Sequence, residues 1–561
     1  MKYQGRERII LKRVICVLFV LSLSLAVAIG CSKGLQLHII GLAEVIIGRK
    51  LDHDIWLERM SIRRIFGFFI PLWLTFLLGY YRLDSKFFEN VKQKNKEYLI
   101  PAIIHWMISF YSDSNVFGTI DSKDKVITYL VWKLLFLGTV SILWKFIFKV
   151  ISRDLYICNI LKCAFPYCVL LYAYFLVYHP GYYIDDEINI FNKVINYSFF
   201  PYHFSYVMGA VYAMSLMLIP YTLGVVIVKI IFQSLICGYC VSRVNMLWGG
   251  HYGWWTYLLF LLPPVMRNGI LTVRMQYYGL LYFVLLFKLI MDWKEKKHLD
   301  SKRDYLILLA GFSILAFWRR EGFYLLLGTP VLISLAYGIT NLKIMKRIFL
   351  SFLVVLSILY MPEAVFDHFG AEAGATYNMW FVNMCREGLD LKKYPSQASV
   401  INQYLSISKL KQFNDEYGDL SYYDNLIAMD KKYNCLREGR SERISDEYAK
   451  AIQYISLHEP ALFAKVHLKL WWYTSIPSTL RHIFYDINLP LLAIIVVTIL
   501  AMIKKYYLVF VCSLLLVFHW GITLLFAPAA YFKYYYQIYL FGWFLIIVMI
   551  ILYFKDGRVK I

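Results

Sequence analysis

Three consecutive acids, Asp185, Asp186 and Glu187, sit at the centre of residues 179–203, HPGYYIDDEINIFNKVINYSFFPYH. A carboxylate placed there can take a proton from a hydroxyl as a general base. Clustered carboxylates can instead hold Mg²⁺ or Mn²⁺, with Asp185 and Glu187 as the ligands. Long apolar runs flank the stretch, 155–178 before it and 204–241 after it. If those runs cross a membrane, the acids lie at the mouth of a helix bundle. Ionisable groups beside hydrocarbon are costly enough to suggest a function. The plainer reading is a solvated loop with a few ordinary charges. A second group carries the opposite sign. Arg319, Arg320 and Glu321 separate two apolar runs, and Lys533 stands in APAAYFKYYY before the last run. Fixed cations suit an oxyanion, and a bidentate guanidinium suits a phosphate better than an ammonium does. Here too a plainer reading exists: Arg319 and Arg320 could snorkel to lipid phosphates or pair with Glu321.

The elements that must position these residues are membrane helices. The 561-residue chain is 60% hydrophobic and 18% aromatic, with a mean hydropathy of +0.55. Such a composition marks an all-α polytopic membrane protein, embedded in a lipid bilayer. The net charge is +22. Nucleic-acid binding is one meaning of that charge, but its location points elsewhere. The longest polar stretch, 362–486, holds 16 acids and 14 bases. The surplus therefore lies in short connections, as the positive-inside rule requires, and nucleic acid is not expected as a partner. Following those basic connections places both termini in the cytoplasm and gives about fourteen spans, with a margin of about two. The same walk puts the acids, the arginine pair, residues 362–486 and Lys533 on the outer side.

Three domains follow: a transmembrane bundle over 1–361 with the acidic loop 179–203, a mainly helical extracytoplasmic domain over 362–486, and C-terminal transmembrane helices over 487–561. Within the polar domain, residues 414–432 and 441–456 have charged, amphipathic helical patterns. Trp471-Trp472-Tyr473 reads as an interfacial aromatic belt. Pro263-Pro264 breaks the apolar run 254–289, leaving one span plus a re-entrant or interfacial half-helix. Cys237-x-x-Cys240 has the spacing of a redox or zinc pair, but it lies in an apolar helix without a partner pair, so packing is its role. Cys385 and Cys435 share the polar domain and could pair as a disulfide.

On Gly181, Asp185, Asn189 and Pro201-Tyr202-His203 the chain resembles a bacterial branch of the GT-C superfamily of membrane glycosyltransferases. The resemblance extends to the helix–Arg–helix feature Arg319-Arg320-Glu321-Gly322-Phe323-Tyr324 and to Ala527–Tyr534 before the last run. It covers the layout of most of the chain, with specific motifs over about twenty residues. Asp186 and Glu187 depart from the pattern, since Ser or Thr is more usual there, and the His-Pro order is reversed and split. Spacing to Asn189 favours Asp185 over Asp186 as the motif acid.

The resemblance implies a GT-C-like bundle and inverting transfer of a sugar from a polyprenyl-phosphate donor on the extracytoplasmic face of a bacterial plasma membrane. The acceptor would be a glycan, a lipid or a protein. A loop Asp would be the base, and Arg319, Arg320, Glu321, Lys533, His203 and Tyr534 would serve the substrate and its phosphate. Some members use a metal and others none. Two other classes compete. An O-antigen-type polymerase or ligase would work through Arg386, Arg437, Arg440, Arg443, His458, His467 and His482 of the large polar segment. A lipid-linked sugar transporter or flippase would need mid-helix charges along a pathway, for which Lys133, Lys229 and Arg274 are the candidates.

Overall fold

The structure, a computed structural model, describes residues 33–47, 50, 52–60, 98–179, 181, 185–200, 205–249, 252–272, 274–297, 299, 302–365, 373–417, 433–435, 442–475, 484–527 and 530–557. The spans expected at 14–30 and 65–81 lie outside them. Chain order begins with helices Lys33–Ile47 (α1), His53–Arg59 (α2), Leu99–Ser112 (α3), Lys123–Ile151 (α4) and Leu155–Val177 (α5). Asp185–Ile195 (α6), Tyr206–Leu218 (α7) and Gly224–Trp248 (α8) follow. Local chemistry sets several starts. Ser122 caps α4 by accepting from the Lys125 amide, and Asp154 caps α5 by accepting from the amides of Tyr156 and Ile157. Next come the short helices Tyr257–Leu261 (α9) and Pro263–Ile270 (α10), then Arg274–Lys294 (α11). The break at Pro263-Pro264 thus yields short pieces and one span-length helix.

Lys302–Trp318 (α12), Leu325–Ala336 (α13) and Leu342–Val365 (α14) precede the polar segment. That segment is helical where described: Ala373–Arg386 (α15), Pro395–Tyr404 (α16), Ile407–Tyr417 (α17), Glu442–His458 (α18) and Pro460–Ser475 (α19). Of the two helices expected there, 441–456 corresponds to α18. The other, 414–432, meets only the end of α17 before leaving the described residues. Asn488–Ile503 (α20), Tyr507–Phe526 (α21) and Tyr536–Gly557 (α22) close the chain.

Seven helices among the described residues are long and apolar enough to cross a membrane: α4, α5, α8, and the spans Met275–Lys294, Leu342–Pro362, Tyr507–Phe526 and Phe532–Leu552. Their outer faces carry exposed apolar side chains, Ile142 at 72% and Phe165 at 70% among them, as hydrocarbon contact requires. Five further apolar helices have 10–17 residues. At a rise of about 1.5 Å per residue these are shorter than a hydrocarbon core of about 30 Å. Short helices, together with the two expected spans that lie outside the described residues, account for the difference from the expected count of about fourteen.

The chain divides into two units, residues 1–242 with 269–272, and residues 243–268 with 273–561. In the first, α3 and α4 share a buried ion pair. Lys133 Nζ lies 2.6 Å from Asp113, whose Oδ2 also accepts from the Tyr129 hydroxyl at 2.6 Å. In the second, Asp292 is buried with Arg243 at 2.8 Å and the Tyr337 hydroxyl at 2.7 Å. The second unit also contains a separate core formed by α15 to α19. Phe381, Leu405, Phe413, Tyr448 and Ile452 are buried in it, and Ala530 joins them from the loop before α22. Cys435 belongs to this core and Cys385 packs against it, and the two are not joined in a disulfide. Cys237 and Cys240 are free and buried in α8.

Candidate functional site

The acids open α6. Four positions ahead of the helix, Gly181 has a φ of +95°, left-handed backbone that suits glycine. A side chain there would also come within 3.0 Å of the Ile270 carbonyl. Glu187, Ile190 and Val194 recur at helical spacing and form the buried face of α6. Glu187 is 1% exposed, and its carboxylate accepts from the Tyr212 hydroxyl at 2.8 Å. That hydroxyl also lies 3.0 Å from the Thr272 carbonyl. Lys229, fully buried in α8, donates to the Leu271 carbonyl and stands within electrostatic reach of Glu187. The third acid is thus bound into the bundle beside the unwound backbone at 271–272.

Asn189, expected as a motif residue, is exposed. Asp185 and Asp186 belong to the first turn of α6, and their side chains lie outside the described set, as does His203. Of the two acids expected as Mg²⁺ or Mn²⁺ ligands, Glu187 is engaged by the Tyr212 hydroxyl.

The cations stand in the second unit. Arg319 is extended backbone (φ −129°, ψ 137°) between α12 and a 3-10 turn over Arg320–Tyr324. Gly322 makes that turn fit: a Cβ there would lie 2.7 Å from the Leu315 carbonyl oxygen and 3.1 Å from Ala316. Arg319 is 7% exposed. Its guanidinium lies 5.6 Å from the Tyr278 ring centroid and 5.8 Å from that of Tyr534. At 7% exposure little of the side chain is left to snorkel, which was the plainer alternative for this residue. Lys533 Nζ stands 5.7 Å from the same Tyr534 ring and 4.7 Å from Tyr531. Three residues expected to act together, Arg319, Lys533 and Tyr534, are therefore brought together from distant stretches. The side chains of Arg320 and Glu321 lie outside the described set.

Behind Arg319 runs a buried polar chain. Tyr278 stacks on His519 at 6.1 Å, His519 Nδ1 lies 3.0 Å from the Tyr324 hydroxyl, and Tyr324 donates to Tyr282 at 3.2 Å. Sequence reasoning missed Tyr278, His519, Tyr282 and Tyr212. Tyrosines in an apolar run look like packing, but a histidine there was a usable signal, since a polar ring in hydrocarbon calls for a partner.

The residues nominated for a polymerase are differently disposed. His467 is 1% exposed, packed by Trp380 and Phe463, and burial lowers its pKa to about 4. His458 is exposed and stacks on Tyr454. Of the transporter candidates, Lys133 and Lys229 are partnered as described above, and the Arg274 side chain lies outside the described set. The aromatic belt expected at 471–473 divides. Trp472 is 61% exposed, Tyr473 packs on the domain core, and Trp471 meets Trp520 and Tyr535. No family model, no curated protein and no solved structure matches the chain.

Proposed function

We propose that the protein is a membrane glycosyltransferase that takes a sugar from a polyprenyl-phosphate donor and passes it to a glycan, lipid or protein acceptor. The observation that carries this reading is the convergence of Arg319 and Lys533 on the single ring of Tyr534, at 5.8 and 5.7 Å. Like charges gathered at one ring repel, and a phosphate leaving group would relieve that repulsion while the charge on it grows. A planar guanidinium presents its N–H groups in its own plane, the direction from which a phosphate oxygen approaches. In the same reading Asp185 deprotonates the acceptor hydroxyl, with Asp186 as the other candidate base. The finer architecture belongs with it: a GT-C-like bundle of about fourteen helices, short ones included. The termini would be cytoplasmic, the polar domain extracytoplasmic, and the membrane a bacterial plasma membrane.

The test is release of polyprenyl phosphate by purified protein in lipid, supplied with polyprenyl-phosphate sugars. Wild type should release it, Asp185→Asn should abolish release, Asp186→Asn should retain it, and Arg319→Ala should lose donor capture. Release unchanged in all the variants would remove both groups from the chemistry and sink the reading.

A further inference from the structure

We infer that Trp471 of α19 is a positioning residue for the Arg319 cation site, holding in register the loop that supplies Tyr534 and the helix α21 that backs Tyr278. Its catalytic consequence rests on the phosphate reading of that site. Its structural consequence does not.

The rings beside Arg319 come from α11 and from the loop before α22. Tyr534 lies 5.8 Å from the guanidinium. Tyr278 lies 5.6 Å from it and is itself backed by His519 of α21. Trp471 touches the next residue after Tyr534 and the next after His519. Its ring meets Tyr535 at 5.0 Å and 76°, and Trp520 at 5.6 Å and 79°. Both contacts are edge-to-face, the geometry in which an indole attracts a second ring through its quadrupole. Tyr535 is 1% exposed and lies within electrostatic reach of Arg319, so displacing it disturbs the cage from within.

Other contacts from the helical domain reinforce the same grip. Trp380 of α15 lies 6.2 Å from Phe526, the last residue of α21, and Ala530 sits in the domain core. The domain thus holds α21 at its end and the following loop at its middle, and Trp471 adds contacts beside His519 and Tyr534. An indole has two edges and enough breadth to reach both rings at once. Alanine reaches neither, and phenylalanine keeps part of each contact.

A merely stabilising role would lower the melting temperature without changing Arg319. The test therefore reads Arg319 itself. Full-length protein in lipid is treated with phenylglyoxal, which modifies arginine, and the rate at Arg319 is followed by peptide mass spectrometry. At 7% exposure the wild-type rate should be low. Trp471→Ala should raise it roughly tenfold by local opening of the cage. Trp471→Phe should restore most of the protection, and Trp472→Ala, at an exposed neighbour, should leave it at the wild-type rate. An Arg319 rate unchanged in folded Trp471→Ala overturns the inference. If Trp471→Ala does not fold, Trp471→Leu against Trp471→Phe makes the same comparison: a higher rate in Leu alone supports it, and equal rates overturn it. Donor capture is measured alongside. A raised Arg319 rate with no donor capture by wild type would keep the positioning role and discard the transferase reading.

Discussion

Glu187 and Arg319 are both buried charges, one in a short helix and the other in extended backbone between two helical segments, and they are held in different ways. Glu187 is met by a donor, the Tyr212 hydroxyl, with the Lys229 ammonium within electrostatic reach. Arg319 is met by two ring faces. The first arrangement consumes the charge, because hydrogen bonds and an opposite charge answer the carboxylate directly. The second sets the cation against the rings' quadrupoles, which spread the attraction over a face. An acid in a cluster is therefore not automatically a reactive acid. Glu187 anchors α6, and the neighbours it leaves in the first turn are the ones to test as bases.

The contrast breaks most decisively at Lys229. Lys229→Met should destabilise the protein by roughly 3–5 kcal/mol, because it strands a carboxylate in an apolar bundle. Thermal unfolding in one fixed lipid or detergent reads the loss. Adding Glu187→Gln should recover a large part of it, and a double variant no better than the single would show that Lys229 does not serve Glu187.

A pH series sharpens the other side, where the helical domain grips α21. His467 has a folded pKa of about 4 against an ordinary 6.5. Between those values the unfolded chain binds a proton that the folded one does not, so stability falls as pH falls through that window. The full loss is roughly 3 kcal/mol, complete near pH 4. His467→Phe should flatten that dependence, and a melting profile with the same slope in both proteins would contradict it.

At the arginine turn, Gly322→Ala places a methyl against carbonyl backbone that cannot swing away. The expected cost is roughly 1–3 kcal/mol, and under the proposed transfer reaction donor capture weakens further than stability alone explains. The smallest effect belongs to Arg319→Lys. It keeps the charge and loses the planar guanidinium, for a stability change of roughly 1 kcal/mol. Under the proposed transfer reaction its signature is a raised KM for the donor with kcat less changed. A lower kcat with KM unchanged would place Arg319 in the transition state alone.

The apolar runs, the helical character of 362–486 and the interruption at Pro263-Pro264 were all legible, because each is a local pattern of residue types. Arg319, Lys533 and Tyr534 were each nominated for the substrate and its phosphate, and the structure puts them near one another. Span lengths were not legible, since a run of apolar residues does not announce where its helix stops. The inward turn of Glu187 was hidden for a related reason: an acidic triplet looks the same until Ile190 and Val194 fix which face of α6 is buried. Tyr212, Tyr278 and Trp471 were hidden because an aromatic residue satisfies membrane, core and interface patterns equally. Lys133 offered the better clue, because a lysine mid-helix needs an answering group, and Asp113 supplies it at 2.6 Å.

Ala530 gives the helical domain a dependence on the order of synthesis. The ribosome delivers α15 to α19 well before α21 and the loop behind it, yet that loop contributes to their shared core. Until nearly the whole chain has emerged, the domain exposes the apolar ground that Ala530 and Phe526 later cover. A nascent or truncated chain ending before α21 would therefore present that patch to chaperones and proteases. Quality control could use it as a sign that the C-terminal helices have not yet arrived.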